Sequence, residues 1–204
     1  MRYTRTGIRV GVLLAIGLPT LAAVAVGIRD ALDDRPIYAL AALPSIGTAM
    51  TQFRLPTLRG DTVSLDRYRG QQVVLALWSL HCSVSRAALA GIERLHRDYA
   101  ARGVQVVLLA DDDDTIGLRR AIDSADVTLP VAFADGALRR IFDRSRTAPE
   151  RATKRVKFGL PSFLVVDATG RVQYRETGVP LTEFHAGNVS LRALRSALDS
   201  LRSR

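Results

Sequence analysis

The longest apolar stretch, Val10 to Ile28, holds one polar side chain, Thr20, in nineteen residues. At ~1.5 Å per residue in a helix it approaches the ~30 Å thickness of a hydrocarbon layer. Beyond it the pattern shortens. Val73 to Trp78 is a continuous apolar run that predicts a buried strand. From Ser83 onward Val84, Ala88, Ile92, Leu95 and Tyr99 recur at three- and four-residue steps, the spacing of one helix face. Gly103 stops that helix, and Val104 to Ala110 is a second apolar strand, so this region predicts a βαβ unit with parallel strands and a right-handed crossover.

The flanks fill in around this unit. Phe53 to Pro56 and Thr62 to Leu65 flank Arg59-Gly-Asp61 as a hairpin, and Asp66 caps a short helical turn ending at Gly70. After Asp111 to Asp114 comes a helix over about 115–125, then a short strand at Pro130 to Ala134 and a helix that Asp135 caps and that runs to Phe142. Phe158 to Asp167, Ala168-Thr-Gly170 and Arg171 to Glu176 read as strand, tight turn and strand. Ser190 caps a last amphipathic helix with Leu191, Leu194, Ala197, Leu198 and Leu201 on one face. There are no internal repeats.

The predicted organisation is a signal anchor or signal peptide over 1–28, a linker over 29–50 with Pro36, Pro44 and Gly47, and a domain over 51–204 that begins near Gln52. Arg2, Arg5 and Arg9 precede the apolar stretch and Asp30, Asp33 and Asp34 follow it, which puts the N-terminus in the cytoplasm and the domain in the periplasm. The expected location is the cytoplasmic membrane, single-pass, or the periplasm if Ala23-Val-Ala25 serves as a cleavage site. No cysteine follows the stretch, so it is not a lipoprotein signal.

The formal charge of +9 is local. Arg139 to Lys157 carries eight basic and two acidic residues; without it and the three N-terminal arginines the chain is neutral. A nucleic-acid partner would call for a basic face and a reading motif, and neither is present. The basic segment is a surface loop by default, and a contact for anionic lipid headgroups or an acidic partner is the functional alternative.

Cys82 is the lone cysteine, so no intrachain disulfide forms and the core alone holds the fold. Its place at a strand-to-helix junction, among the free amides at the positive end of the helix dipole, favours an anion and marks it as the chemical centre. His81 beside it is a base, a cation that steadies a thiolate, or a surface residue; His96 and His185 are expected to be solvated. The four consecutive aspartates fit a helix N-terminus better than a calcium loop, which needs spaced ligands. No metal or cofactor is expected.

Trp78-Ser-Leu-His-Cys-Ser-Val-Ser-Arg86 resembles the W-A-x-W-C-x-x-C-R segment of membrane-tethered periplasmic thioredoxin-like proteins of the TlpA/ResA type, in the redoxin and peroxiredoxin (AhpC/TSA) superfamily. Gly159-Leu-Pro-Ser-Phe-Leu-Val-Val-Asp167 with Gly170 resembles their G-x-P-T-x-F-x-I-D-x-x-G segment. The resemblance covers about Gln52 to Gly178. It implies an α/β thioredoxin-like fold, a central mixed sheet flanked by helices. It also implies that Cys82 is the nucleophile and that Pro161 is a cis-proline whose loop, with Leu160, faces the sulfur and pairs with an extended partner. Trp78 is grouped with that partner-binding surface or packs beneath the turn.

Ser85 stands where the family has its second cysteine, and His81 where it has an aromatic residue; the family's acidic residue in the following helix has no evident counterpart. A hydroxyl cannot release a mixed disulfide, though Ser85 Oγ is positioned in sequence to donate to the Cys82 thiolate. Three readings follow. The first is an exported monothiol redox protein acting on another protein's cysteines, with cytochrome c or other redox-protein maturation as its setting. The second is a binding or assembly module that has lost catalysis. The third is a one-cysteine peroxidase in which Ser79 stands for the Thr of T-x-x-C.

Overall fold

The computed structural model describes residues 43–134, 137–145, 159–180, 183–185 and 188–203. The chain divides into units Met1–Ile37 and Tyr38–Arg204, and every described residue belongs to the second. The expected anchor, most of the linker, Asp135 and residues 146–158, which include most of the basic segment 139–157, lie outside the described residues. No helix among the described residues is long and apolar enough to cross a membrane.

Five strands form one mixed sheet. In chain order they are β3 (Gln72–Trp78), β4 (Val104–Ala110), β5 (Val131–Phe133), β6 (Ser162–Val166) and β7 (Val172–Thr177), after the hairpin β1 (Arg54–Pro56) and β2 (Thr62–Ser64). The spatial order is β5-β4-β3-β6-β7, with β3, β4 and β5 parallel and β6 and β7 alternating antiparallel. The helices are α1 (Ser83–Ala100), α2 (Thr115–Ser124), α3 (Ala137–Ser145) and α4 (Arg192–Arg202); a small pair, β8 (Phe184–His185) and β9 (Asn188–Val189), precedes α4.

The apolar run Val73 to Trp78 lacks alternation because both its faces are covered. Val74, Ala76 and Trp78 join one cluster with Ala88, Ile92 and Leu95 of α1 and Leu194 and Leu198 of α4. Val73, Leu75 and Leu77 join another with Leu55 and Val63 of the hairpin and Leu138 and Phe142 of α3. Leu43 and Met50 are buried in this second cluster, so packed structure begins ahead of Gln52. Residues 47–50 run along the start of β7, with Gly47 N donating to Val172 O and Met50 N to Gly170 O.

Three local expectations are corrected. Asp66 does not cap the helical turn Leu65–Tyr68; its carboxylate takes the Arg69 guanidinium at 3.0 Å. Ser190 does not cap α4. The cap position is Leu191, held in the left-handed region (φ 52), and the carboxylate of Glu183 accepts both the Arg192 amide (2.8 Å) and the Ser190 hydroxyl (3.1 Å). His96 is half-buried rather than solvated, its Nδ1 enclosed and without a hydrogen-bond partner among the described residues; the His185 side chain lies outside them.

Helix α1 is held at its middle by Glu93, 3 % exposed, which ties it to the start of β5. Its carboxylate accepts from Thr128 N, Thr128 Oγ1, Leu129 N and Arg97 Nε. Burial opposes the charge, but these donors outweigh it and hold the carboxyl below the ordinary glutamate range. A lowered folded-state pKa contributes stability that is full above the unfolded value and lost as pH falls through the folded one. Glu93→Gln is therefore expected to cost about 2 kcal/mol at pH 7, because it leaves the buried Thr128 and Leu129 donors poorly matched, while Arg97 keeps only its exposed pair with Asp126. Urea melts across pH check this: the deficit shrinks as pH falls below the glutamate range, where wild-type Glu93 is also neutral.

Candidate functional site

Strand β3 ends at Trp78, and four residues later α1 begins with Cys82 at its cap position. The Trp78 ring is fully buried and its Nε1 donates to Ser85 O at 2.6 Å, which stitches the strand end to the first turn of the helix. Trp78 is thus packing beneath the turn, and its grouping with partner-binding residues is corrected: a side chain with no exposed surface offers a partner nothing.

Cys82 is half-buried, and its Sγ donates to Leu160 O at 3.3 Å. The Leu160–Pro161 peptide is cis. Its loop is held by Gly178 N, which donates to Pro161 O at 2.8 Å, and by the Ser162 hydroxyl, which donates to Gly159 O with Thr177 Oγ1 at 3.1 Å. The structure therefore brings Cys82, Leu160 and Pro161 together. Beside the sulfur lies an open groove of about 660 Å³, walled by His81, Val84, Leu160, Thr177 and Val179 among others.

Ser85 is fully buried one turn into α1, and its hydroxyl has no hydrogen-bond partner among the described residues. The expected bond from Ser85 Oγ to the Cys82 sulfur is not formed. His81 is the exposed member of the site, its side chain 70 % accessible, with Nε2 3.8 Å from Asp112 Oδ1.

Asp112 is the residue that sequence reasoning missed. It was counted with its neighbours as helix N-terminal charge, which is what Asp114 is: Asp114 caps α2 by accepting from Gly117 N at 2.8 Å. Asp112 instead turns inward, 3 % exposed, and its carboxylate accepts from Ser79 Oγ (2.9 Å) and Leu80 N (2.9 and 3.1 Å to the two oxygens). The signal lay in the register: parallel β3 and β4 pair Trp78 with Ala110, so the second residue beyond each strand, Leu80 and Asp112, meet.

Glu176 of β7 accepts from Tyr174 OH at 2.9 Å. Burial, with Glu183 nearby, raises its carboxyl above the ordinary range, and burial and Glu176 together raise the Tyr174 phenol. A second cavity, about 130 Å³ and lined by Arg59 and Arg119 among others, holds its polar groups in local bonds, Arg119 to Leu58 O and Thr57 to Asp61.

A mixed sheet whose central strand delivers a thiol to a helix N-terminus, facing a cis-proline loop, defines a thioredoxin-like protein. The chain belongs to the AhpC/TSA family, whose profile matches residues 46–175. It is similar to the thiol-disulfide oxidoreductase ResA of Halalkalibacterium halodurans, 21 % identical over 69 % of this chain and 73 % of that protein. It is also similar to ResA of Oceanobacillus iheyensis, 28 % identical over 48 % of this chain and half of that one. Among solved structures, the fold matches a thiol:disulfide interchange protein of the thioredoxin family from Chlorobium tepidum TLS, with TM-score 0.58 and 19 % identity over 76 % of this chain and 98 % of that one. It matches a DsbF homologue from Corynebacterium diphtheriae as well, with TM-score 0.58 and 18 % identity over 74 % and 85 %.

Because the Ser85 hydroxyl is buried without a partner among the described residues, Ser85→Ala is expected to be neutral or to stabilise by up to about 1 kcal/mol, since the desolvation cost of an unmet donor disappears. Thermal melts and the alkylation rate of Cys82 check this. A marked loss of reactivity would mean that the hydroxyl reaches the sulfur after all.

Proposed function

We propose that this chain is an exported thiol-disulfide redox protein that uses Cys82 alone. Residues 1–28 tether it to the cytoplasmic membrane, or are removed to leave it in the periplasm. One observation carries the reading: the sulfur of half-buried Cys82, at the start of α1, lies against the carbonyl of Leu160 beside an open groove that Cys82 lines, while the position one turn deeper holds a buried serine. The family membership and the thiol-disulfide oxidoreductases it resembles agree with it.

The Cys82 thiolate attacks one sulfur of a partner's disulfide. A new bond to Cys82 forms as the partner's sulfur–sulfur bond breaks, and the displaced sulfur leaves as a thiolate that takes a proton. Leu160 and Pro161 present the partner's chain at the groove. Ser85 cannot close an internal disulfide, so the mixed disulfide persists until an outside thiol attacks it. The partner is another exported protein with a cysteine or disulfide, with cytochrome c or other redox-protein maturation as the setting, and the basic residues 139–157 supply a contact for an anionic surface.

The buried serine also suits a binding or assembly module, in which the groove holds a partner without exchange. Peroxidase chemistry has less support: the Ser79 hydroxyl spends its proton on Asp112 and has none to offer a peroxide at Cys82.

Cells expressing the protein or Cys82→Ala, alkylated and separated without reductant, test the reading. The expected result is a band of higher mass that depends on Cys82 and disappears with reductant. Ser85→Cys is expected to diminish that band several-fold by closing an internal disulfide. A band equally strong in Cys82→Ala, or none in wild type, favours the binding module.

A further inference from the structure

The turn from Ser79 to Cys82 hangs on one carboxylate. Asp112 accepts Ser79 Oγ and Leu80 N directly. The same Ser79 Oγ accepts the His81 amide at 3.2 Å, and Ser79 O accepts the Cys82 amide at 3.3 Å. The Asp112 side chain has no exposed surface. A carboxylate removed from water costs several kcal/mol unless it is compensated, and among the described residues the one basic side chain within 4.0 Å of it is His81, with Nε2 at 3.8 Å. Arg86, the other cation at the turn, points its guanidinium at Leu80 O (2.8 Å) instead. The imidazole is thus exposed at the groove that Cys82 also lines, and on its other side it faces the buried Asp112 carboxylate.

The geometry points to Asp112 as a positioning residue and His81 as the proton donor of the thiol site, an inference that rests on Cys82 exchanging disulfides. Disulfide cleavage by Cys82 expels a thiolate, and an alkyl thiolate is a poor leaving group unless a proton reaches it. The balance is complete without another reagent. The Cys82 thiolate and the partner disulfide give the mixed disulfide and a leaving thiolate, and imidazolium at position 81 gives that thiolate its proton and becomes neutral. Asp112 contributes as the carboxylate of a histidine pair does elsewhere, by orienting the ring and offsetting the charge of the imidazolium. This assigns a task to the histidine that replaces an aromatic residue, and to the most deeply buried of the four aspartates.

Leaving-group dependence separates proton delivery from simple support of the turn. Reduced full-length protein is mixed with dithiobis(nitrobenzoate), whose acidic leaving thiol needs no proton, and with hydroxyethyl disulfide, whose basic leaving thiol does. Single-turnover rates of mixed-disulfide formation are read by intact mass. His81→Gln, at an exposed position, and Asp112→Asn are each expected to slow the alkyl disulfide about tenfold, below the 10²–10⁴ range of buried general acids because water competes at an open site. The aryl disulfide is expected to change less than about threefold. Equal slowing of both, or of neither, in His81→Gln overturns the inference whether or not Asp112→Asn folds. A wild-type protein that reacts with neither disulfide overturns the underlying redox reading instead.

Discussion

Strand β3 is covered on both faces, and where it ends determines where the sulfur lies. Six residues from Val73 to Trp78 are at most 1 % exposed, divided between a helical layer on one side and the hairpin and α3 on the other. A strand caught between two cores cannot slip without turning every side chain to the opposite face. The turn at its C-terminal end is therefore delivered to a fixed place, beside the matching end of β4 and against the loop that opens β6.

Close packing continues through the turn. Gly117, in the first turn of α2, leaves room that a Cβ would take from the Asp114 carboxylate and Leu80. In α1 a Cβ on Gly91 would run into the carbonyl of Val189, so the small residue there lets β9 lie against the helix that begins at Cys82. At the far end of α1, Tyr99 OH donates to Asp199 of α4 at 2.9 Å, with Arg102 and Arg195 over its ring. The helix that carries the reactive residue is thus pinned at its cap, its middle and its end.

Much of this was legible in the chain. Unbroken apolar runs marked β3 and β4, three- and four-residue steps marked α1, and the segment from Gly159 to Gly170 marked the proline loop opposite Cys82. What escaped depends on contacts between distant positions. Glu183 caps α4 in place of Ser190 because Leu191 takes a left-handed conformation that no local pattern announces. Asp112 differs from its three acidic neighbours only through its place in the sheet register. The silence of Ser85 Oγ and the burial of Trp78 follow from packing, which spacing along a helix does not reveal.

The account stands on Cys82 being an open nucleophile in the folded protein. The rate at which iodoacetamide modifies it, followed by intact mass in native buffer and again in urea, examines this directly. The account predicts modification in the native protein at least as fast as in the unfolded chain, at a single site. Strong protection of the sulfur in the native state would contradict it.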